Sequence, residues 1–300
     1  VFNREDARRM LTNLFDGLAY GMLLFVIACG LSVTLGLMNL INLAHGAFAM
    51  AGGYVTVALV NVLGVPFLLA LPLAFVASAV LGLVLEKTLY VHVYRKSHLE
   101  QVLFSIGLVL MAISGGSYLL TRFGVGTEQK FVDLPVFLQG RFDVFGANIG
   151  AYRLLIVGVC GVLALVLQLI VTRTRFGAQL RAAVDDPVVA RGLGINVGLV
   201  FSATFAVGSG LAGLGGALGA NVLGLDPGFP VKYMVYFLIV VAVGGSAGMV
   251  GPLVAAILLG VADVSGKYYL PQFGAFIIYV LMIVVLLWRP QGIFARAGGR

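Results

Sequence analysis

Nine apolar segments decide what this chain can fold into. They lie at about residues 14–37, 45–63, 66–86, 101–121, 151–172, 197–219, 231–249, 252–269 and 272–288. Each is near the roughly 20 residues that carry a helix across a hydrocarbon core about 30 Å thick. Only 10% of the 300 residues are charged, against about 25% in a soluble domain. A backbone in lipid must satisfy its own hydrogen bonds, which leaves helices or a closed barrel. The segments lack the alternation of barrel strands. The sequence therefore predicts an all-α, polytopic transmembrane helical bundle of eight or nine spans. Residues 1–13 read as a polar N-terminal tail, 14–288 as one transmembrane domain and 289–300 as a basic tail. The run after residue 13 is too long for a signal-peptide core and ends in no small-residue cleavage site, so a retained helix is expected.

The formal net charge is +7. In a membrane chain such an excess holds short loops in the cytoplasm, and no aromatic–basic module points to nucleic acid. Lys87, Arg95 and Lys96 mark the loop at 86–100 as cytoplasmic. Four arginines mark 172–196, and Arg289, Arg296 and Arg300 mark the tail. The loop at 122–150 balances its charges, holds extended-looking pieces (FVDLPVF, RFDVF) and reads as external. Counting spans back from residue 87 puts residues 1–13 outside, yet Arg4, Arg8 and Arg9 argue for inside. A broken or re-entrant piece between residues 33 and 63 would change that parity, so the N-terminal topology stays open. Cys29 and Cys160 lie inside apolar runs and read as packing residues, neither a disulfide nor a metal site.

Two apolar segments are interrupted by glycine: MNLINLAHGAFAMAGGYV at 38–55 and VAVGGSAGMVGPLV at 241–254. Paired interruptions suggest two weak repeats with broken helices and a solute path between them. Asn39, Asn42 and His45 fall on one helical face. Polar groups at membrane depth are costly. They read either as the lining of a path, with Gly46 beside them and Gly244 and Gly245 in the second interruption, or as hydrogen-bonding glue between helices. The stretch GSGLAGLGGALG at 208–219 contains a formal G-x-G-x-x-G, but no strand precedes it. Gly208, Ala212, Gly216 and Ala220 instead form a small-residue stripe for helix packing. Gly266-Lys267 is followed by Tyr268 rather than Ser or Thr, so no phosphate loop for ATP is formed there. Asp263 and Lys267 make an i,i+4 pair and read as a neutralised surface charge near a helix end, in preference to a pathway carboxylate. Glu86 and Lys87 are expected to snorkel. No catalytic triad, metal-ligand cluster or carboxylate pair appears, and no cofactor is implied.

The densest charge cluster, residues 173–196, reads as two short helices. Asp186 before Pro187 is an N-cap followed by proline at the first helical position. Gly192 and Gly194 can close the second helix in left-handed conformations. Upstream, FGAQLRAAV at 176–184 makes the first. Both fall below the ~12 residues that a free helix needs. A plain linker seldom carries paired caps, so a supporting surface is expected.

Four ordered motifs, GLMNLINLAHGAFAMAGGYV, RFGAQLRAAVDDPVVARGLGIN, AVGGSAGMVGPLVAAILLG and WRPQGIFAR, resemble the permease subunits of ABC importers for branched-chain amino acids, in particular the shorter of the two. The resemblance covers about residues 14–296. It implies a multi-pass protein of a bacterial inner membrane, set in lipid. Its partners would be a homologous second permease, two cytoplasmic ATPase subunits and an external solute-binding protein. It also makes the middle motif a coupling helix: Arg175, Phe176, Gly177, Arg181, Asp186 and Pro187 match the pattern, with Asp185 and Arg191 in the same stretch. Permeases of similar appearance carry urea, short amides or aromatic acids. A passive channel is the rival reading from another class.

Overall fold

Apolar length turns directly into helices. In a computed structural model, residues 4–38, 40, 42–94, 96–122, 128–144, 147–245 and 248–294 are described. The chain runs α1 (Arg4–Met38), α2 (His45–Val57, continued by a wider turn at Ala58–Val62), α3 (Phe67–Thr88), a 3-10 turn (Tyr90–His92) and α4 (His98–Arg122). After α5 (Val136–Gln139) and the strands β1 (Arg141–Val144) and β2 (Ala147–Gly150) come α6 (Ala151–Arg173), α7 (Arg175–Asp185) and α8 (Pro187–Gly192). The last four helices are α9 (Val197–Leu223), α10 (Phe229–Gly244), α11 (Val250–Tyr269) and α12 (Gly274–Trp288). Each of the nine apolar segments carries a helix. Seven are long and apolar enough to cross a membrane, whereas α10 and α12 are shorter. At 1.5 Å per residue those two span only about 24 and 22 Å.

The centre of the bundle is α9, which packs on α1, α2 and α3. Residues 208–220 are buried throughout, and the small-residue stripe is the reason. A Cβ added at Gly216 would overlap the Ala49 carbonyl of α2, one at Gly213 would overlap Ser78 of α3, and Gly208 lies against Gly30 of α1. Such close backbone approach gains dispersion contacts that side-chain bulk would forbid. The same logic joins α1 to α11, where Gly17 and Gly21 meet the backbone of Val261 and Ala256. At the periphery, α4 and α12 leave apolar residues such as Leu103, Leu110, Phe276 and Val284 exposed, as a lipid-facing surface requires.

The two ends of the bundle differ. Arg141–Val144 and Ala147–Gly150 pair antiparallel, so the extended look of RFDVF is a hairpin. The preceding chain is stapled by two asparagines. Asn61 donates to the Phe131 carbonyl and accepts from the Asp133 amide, while Asn221 does both with Val132. Residues 4–16 belong to this hairpin end. Asp16 pairs with Arg153, and Asn13 donates to Ser265 at 3.2 Å. Arg8, Arg9, Asn148 and Tyr268 share one cleft there. The N-terminal end therefore lies opposite α7 and α8. The break between α1 and α2 leaves the count of crossings unchanged, because α2 runs back to the hairpin end, where Asn61 lies. Helix α1 also starts at Arg4, so helix reaches into the segment read as a tail.

Two buried carboxylates depart from expectation. Glu86 is only 3% exposed and takes hydrogen bonds from Tyr94 and Ser202, so it does not snorkel. Asp263 pairs with Lys267 as expected, but it is 1% exposed and lies inside the bundle. The helix-packing faces of α11 turn it inward, and only Lys267 reaches the surface.

Candidate functional site

The elbow of α7 and α8 is built from local caps. Thr174 accepts from the Gly177 amide at 3.2 Å and donates to the Ile170 carbonyl at 2.6 Å, which starts α7 and closes α6 with one side chain. Gly177 is required here, because a Cβ would overlap the carbonyls of Ile170 and Val171. An Arg181 guanidinium N–H donates to the Val171 carbonyl and ties α7 across the end of α6. Asp186 is the cap the sequence predicted. Its Oδ1 accepts from the amides of Val188 at 2.8 Å and Val189 at 3.0 Å, with Pro187 at the first position of α8. The left-handed closure uses Gly194, at φ +81, and not Gly192. Gly192 is the last residue of α8, and the chain turns only after Leu193. Asn196 then caps α9 through the Leu199 amide at 3.0 Å.

The short helices are held by a small core of their own. Leu180, Ala183, Ala190, Val197 and Val200 are buried together, with Phe176 packed beside them. The surface the sequence predicted is thus the start of α9 itself. A second, outward surface remains. Val188, Val189 and Leu193 are 74, 57 and 74% exposed, among the exposed charges of Arg175, Asp185, Asp186 and Arg191. Sequence reasoning missed this apolar tip. The signal was present in two adjacent valines, because neighbouring positions on one short helix do not share a face.

Three of the four sequence motifs converge beside the elbow. Gln168, Thr172 and Arg181 line a cavity of about 420 Å³ together with Gly244, Gly245 and Phe294. Gly245 holds φ +81 and Gly292 φ +88. Gly292 lies directly against Gly245, and the Ile293 amide donates to the Val243 carbonyl at 2.8 Å. The tail thereby closes the end of α10 that its own glycines leave open. The cavity has one cationic side chain, Arg181, and a wall of glycine backbone. It offers no nucleophile or acid–base pair.

The other path candidates lie elsewhere. Asn39 is outside the described residues. Asn42 is fully buried, and its Oδ1 accepts from the Ala44 amide and from the Tyr90 hydroxyl. His45, 2% exposed, bonds the Ile27 carbonyl through Nε2 at 2.8 Å. Gly46 packs against Pro230 of α10. These groups join α1, α2, α10 and the turn after α3 inside the chain. Their hydrogen-bond partners lie within this chain, on neighbouring helices and the turn after α3. Among the described residues there is no group of three or more His, Cys, Asp or Glu arranged to hold a metal ion.

Comparison with known proteins agrees with this arrangement. Residues 13–286 match the model of a family described as the permease component of a branched-chain amino acid transport system. The chain is 30% identical to the "Probable branched-chain amino acid transport permease protein LivH" of Methanocaldococcus jannaschii, over 91% of this chain and 89% of the relative. It is 28% identical to the high-affinity permease protein BraD of Pseudomonas aeruginosa, over 95% and 96% of the two chains. With the permease protein LivH of Escherichia coli it shares 27% identity over 97% of each. No solved structure matches it. A multi-pass helical bundle, a doubly capped elbow and a family match over most of its length lead to one conclusion: the chain belongs to the family of branched-chain amino acid transport permease components.

Proposed function

We propose that this permease moves branched-chain amino acids inward across a bacterial inner membrane, driven by ATPase subunits that dock on the elbow. The carrying observation is the tip of α7 and α8. Three exposed apolar side chains, Val188, Val189 and Leu193, stand on a short capped helix at the basic end of the bundle. An exposed apolar patch ringed by charge is the chemistry of a protein contact. The basic loops support a cytoplasmic position for this end and an external one for the hairpin end, where a solute-binding protein would deliver its cargo. A homologous second permease would complete the path. The cavity lined by Gly244, Gly245 and Arg181 supports an inner mouth of that path beside the elbow.

The chain has no phosphate loop of its own, so the drive is mechanical. ATP binding can shift the permease only by the difference in its contacts between two states. Displacement of α7 would move Arg181 against the glycine-lined break that shares its cavity. The test is leucine uptake into proteoliposomes holding the full complex, with ATP or a non-hydrolysable analogue. Uptake that needs hydrolysis is expected. Equal flux under both conditions, or flux through this chain alone, would make it a passive facilitator instead.

A further inference from the structure

The elbow's small core continues into the bundle. Phe201, packed against that core, meets Tyr94 edge-on with ring centroids 6.4 Å apart. The Tyr94 hydroxyl donates to Glu86 Oε1 at 2.8 Å, and the Ser202 hydroxyl donates to Oε2 at 2.7 Å. Glu86 lies in the last turns of α3, where exposed carbonyls disfavour an acidic group, and it is almost wholly buried. Such a placement is tolerable only when both oxygens have donors. Here each donor comes from a different element, so one carboxyl group ties α3, the loop after it and the start of α9.

From that loop the contacts run on to the α1–α2 break. The Tyr90 hydroxyl donates to Asn42 Oδ1 at 2.8 Å, and its ring lies 4.7 Å from that of Phe205. Phe205 meets Phe48 at 5.9 Å, and Phe48 meets His45 at 6.3 Å. Asn42 Nδ2 has no partner among the described residues, which leaves one donor at the break for a different arrangement to use. Packed and hydrogen-bonded contacts of this kind carry coupling when the elements at their ends have two arrangements.

We propose that Glu86 is the joint through which movement of the elbow reaches the α1–α2 break, making it a positioning residue of the transport cycle. This rests on the elbow being the ATPase docking site. The test compares Glu86→Gln, Tyr90→Phe and their double variant in the reconstituted complex, reading leucine taken up per ATP hydrolysed. Ser202→Ala, which removes one donor only, stands in if Glu86→Gln fails to assemble. In Glu86→Gln the ratio should fall about ten-fold, the scale of one lost hydrogen bond to a charged group, while the ATPase subunits still co-purify. Tyr90→Phe should lower it too, and the double variant should be no worse than the worse single, because both cut one path. A wild-type ratio, proportional loss of uptake and hydrolysis, or multiplied effects in the double variant would overturn the joint. If Asp186→Ala uncouples the complex but Glu86→Gln does not, only the joint fails. If neither uncouples it, the docking reading fails as well.

Discussion

Asp186→Ala tests the elbow at its weakest point. The Asp186 side chain accepts two amide hydrogen bonds, and α8 has only six residues. The helix reaches the rest of the chain chiefly through Ala190, its one buried position. Loss of an N-cap costs about 1 kcal/mol, within a range of roughly 0.5–2. Because the site is exposed, that cost falls on α8 and not on the bundle. A shift of this size lowers the ratio of formed to unformed α8 about five-fold. If the ATPase grips only the formed helix, leucine uptake per ATP drops by a similar factor while thermal stability holds. The assay measures uptake and phosphate release together in proteoliposomes. Asp186→Asn keeps an acceptor oxygen in place and should restore most of the coupling. Wild-type coupling in the alanine variant would refute the argument. So would an asparagine variant as poor as alanine, because charge and not the cap would then be what matters.

Gly216→Ala drives a Cβ into the Ala49 carbonyl and should destabilise the bundle by about 1–3 kcal/mol, seen as a lower melting temperature in detergent. Gly158→Ala meets nothing within 4 Å and should leave that temperature in place. Asn221→Ala removes the two hydrogen bonds that hold Val132, so hydrogen exchange at the Val132 amide should speed up at least five-fold, the equivalent of about 1 kcal/mol. Unchanged exchange there would show that Asn61 and the backbone bridge in which Lys130 and Leu225 exchange amide hydrogen bonds alone hold the loop.

The helices were legible because lipid imposes one rule on every span, and an apolar run of about 20 residues satisfies it. The Asp186 cap and the stripe at 208–220 were legible for a related reason: each is a local pattern within one element. Glu86 was not. Its partner Ser202 lies 116 positions away, and nothing near Glu86 in sequence announces a hydroxyl across the bundle. One clue existed, an acidic residue in the last turns of an apolar helix, where the helix dipole opposes it. Asn42 and His45 were legible as polar groups at membrane depth, but spacing alone could not name their partners, Tyr90 and Ile27, which come from other segments. The orientation of α1 also needed tertiary contacts, since the Asp16–Arg153 pair puts a basic N-terminal end where its own arginines argued against it.

Whether an ATPase subunit grips the apolar tip is the question on which the account turns. The direct measurement is co-purification of the ATPase subunits with a Val188→Glu, Leu193→Glu double variant, beside wild type at equal membrane levels. Both side chains are largely exposed, so the bundle should fold as before. The ATPase subunits should be lost from the variant while the second permease stays bound. Full retention of the ATPases would contradict it.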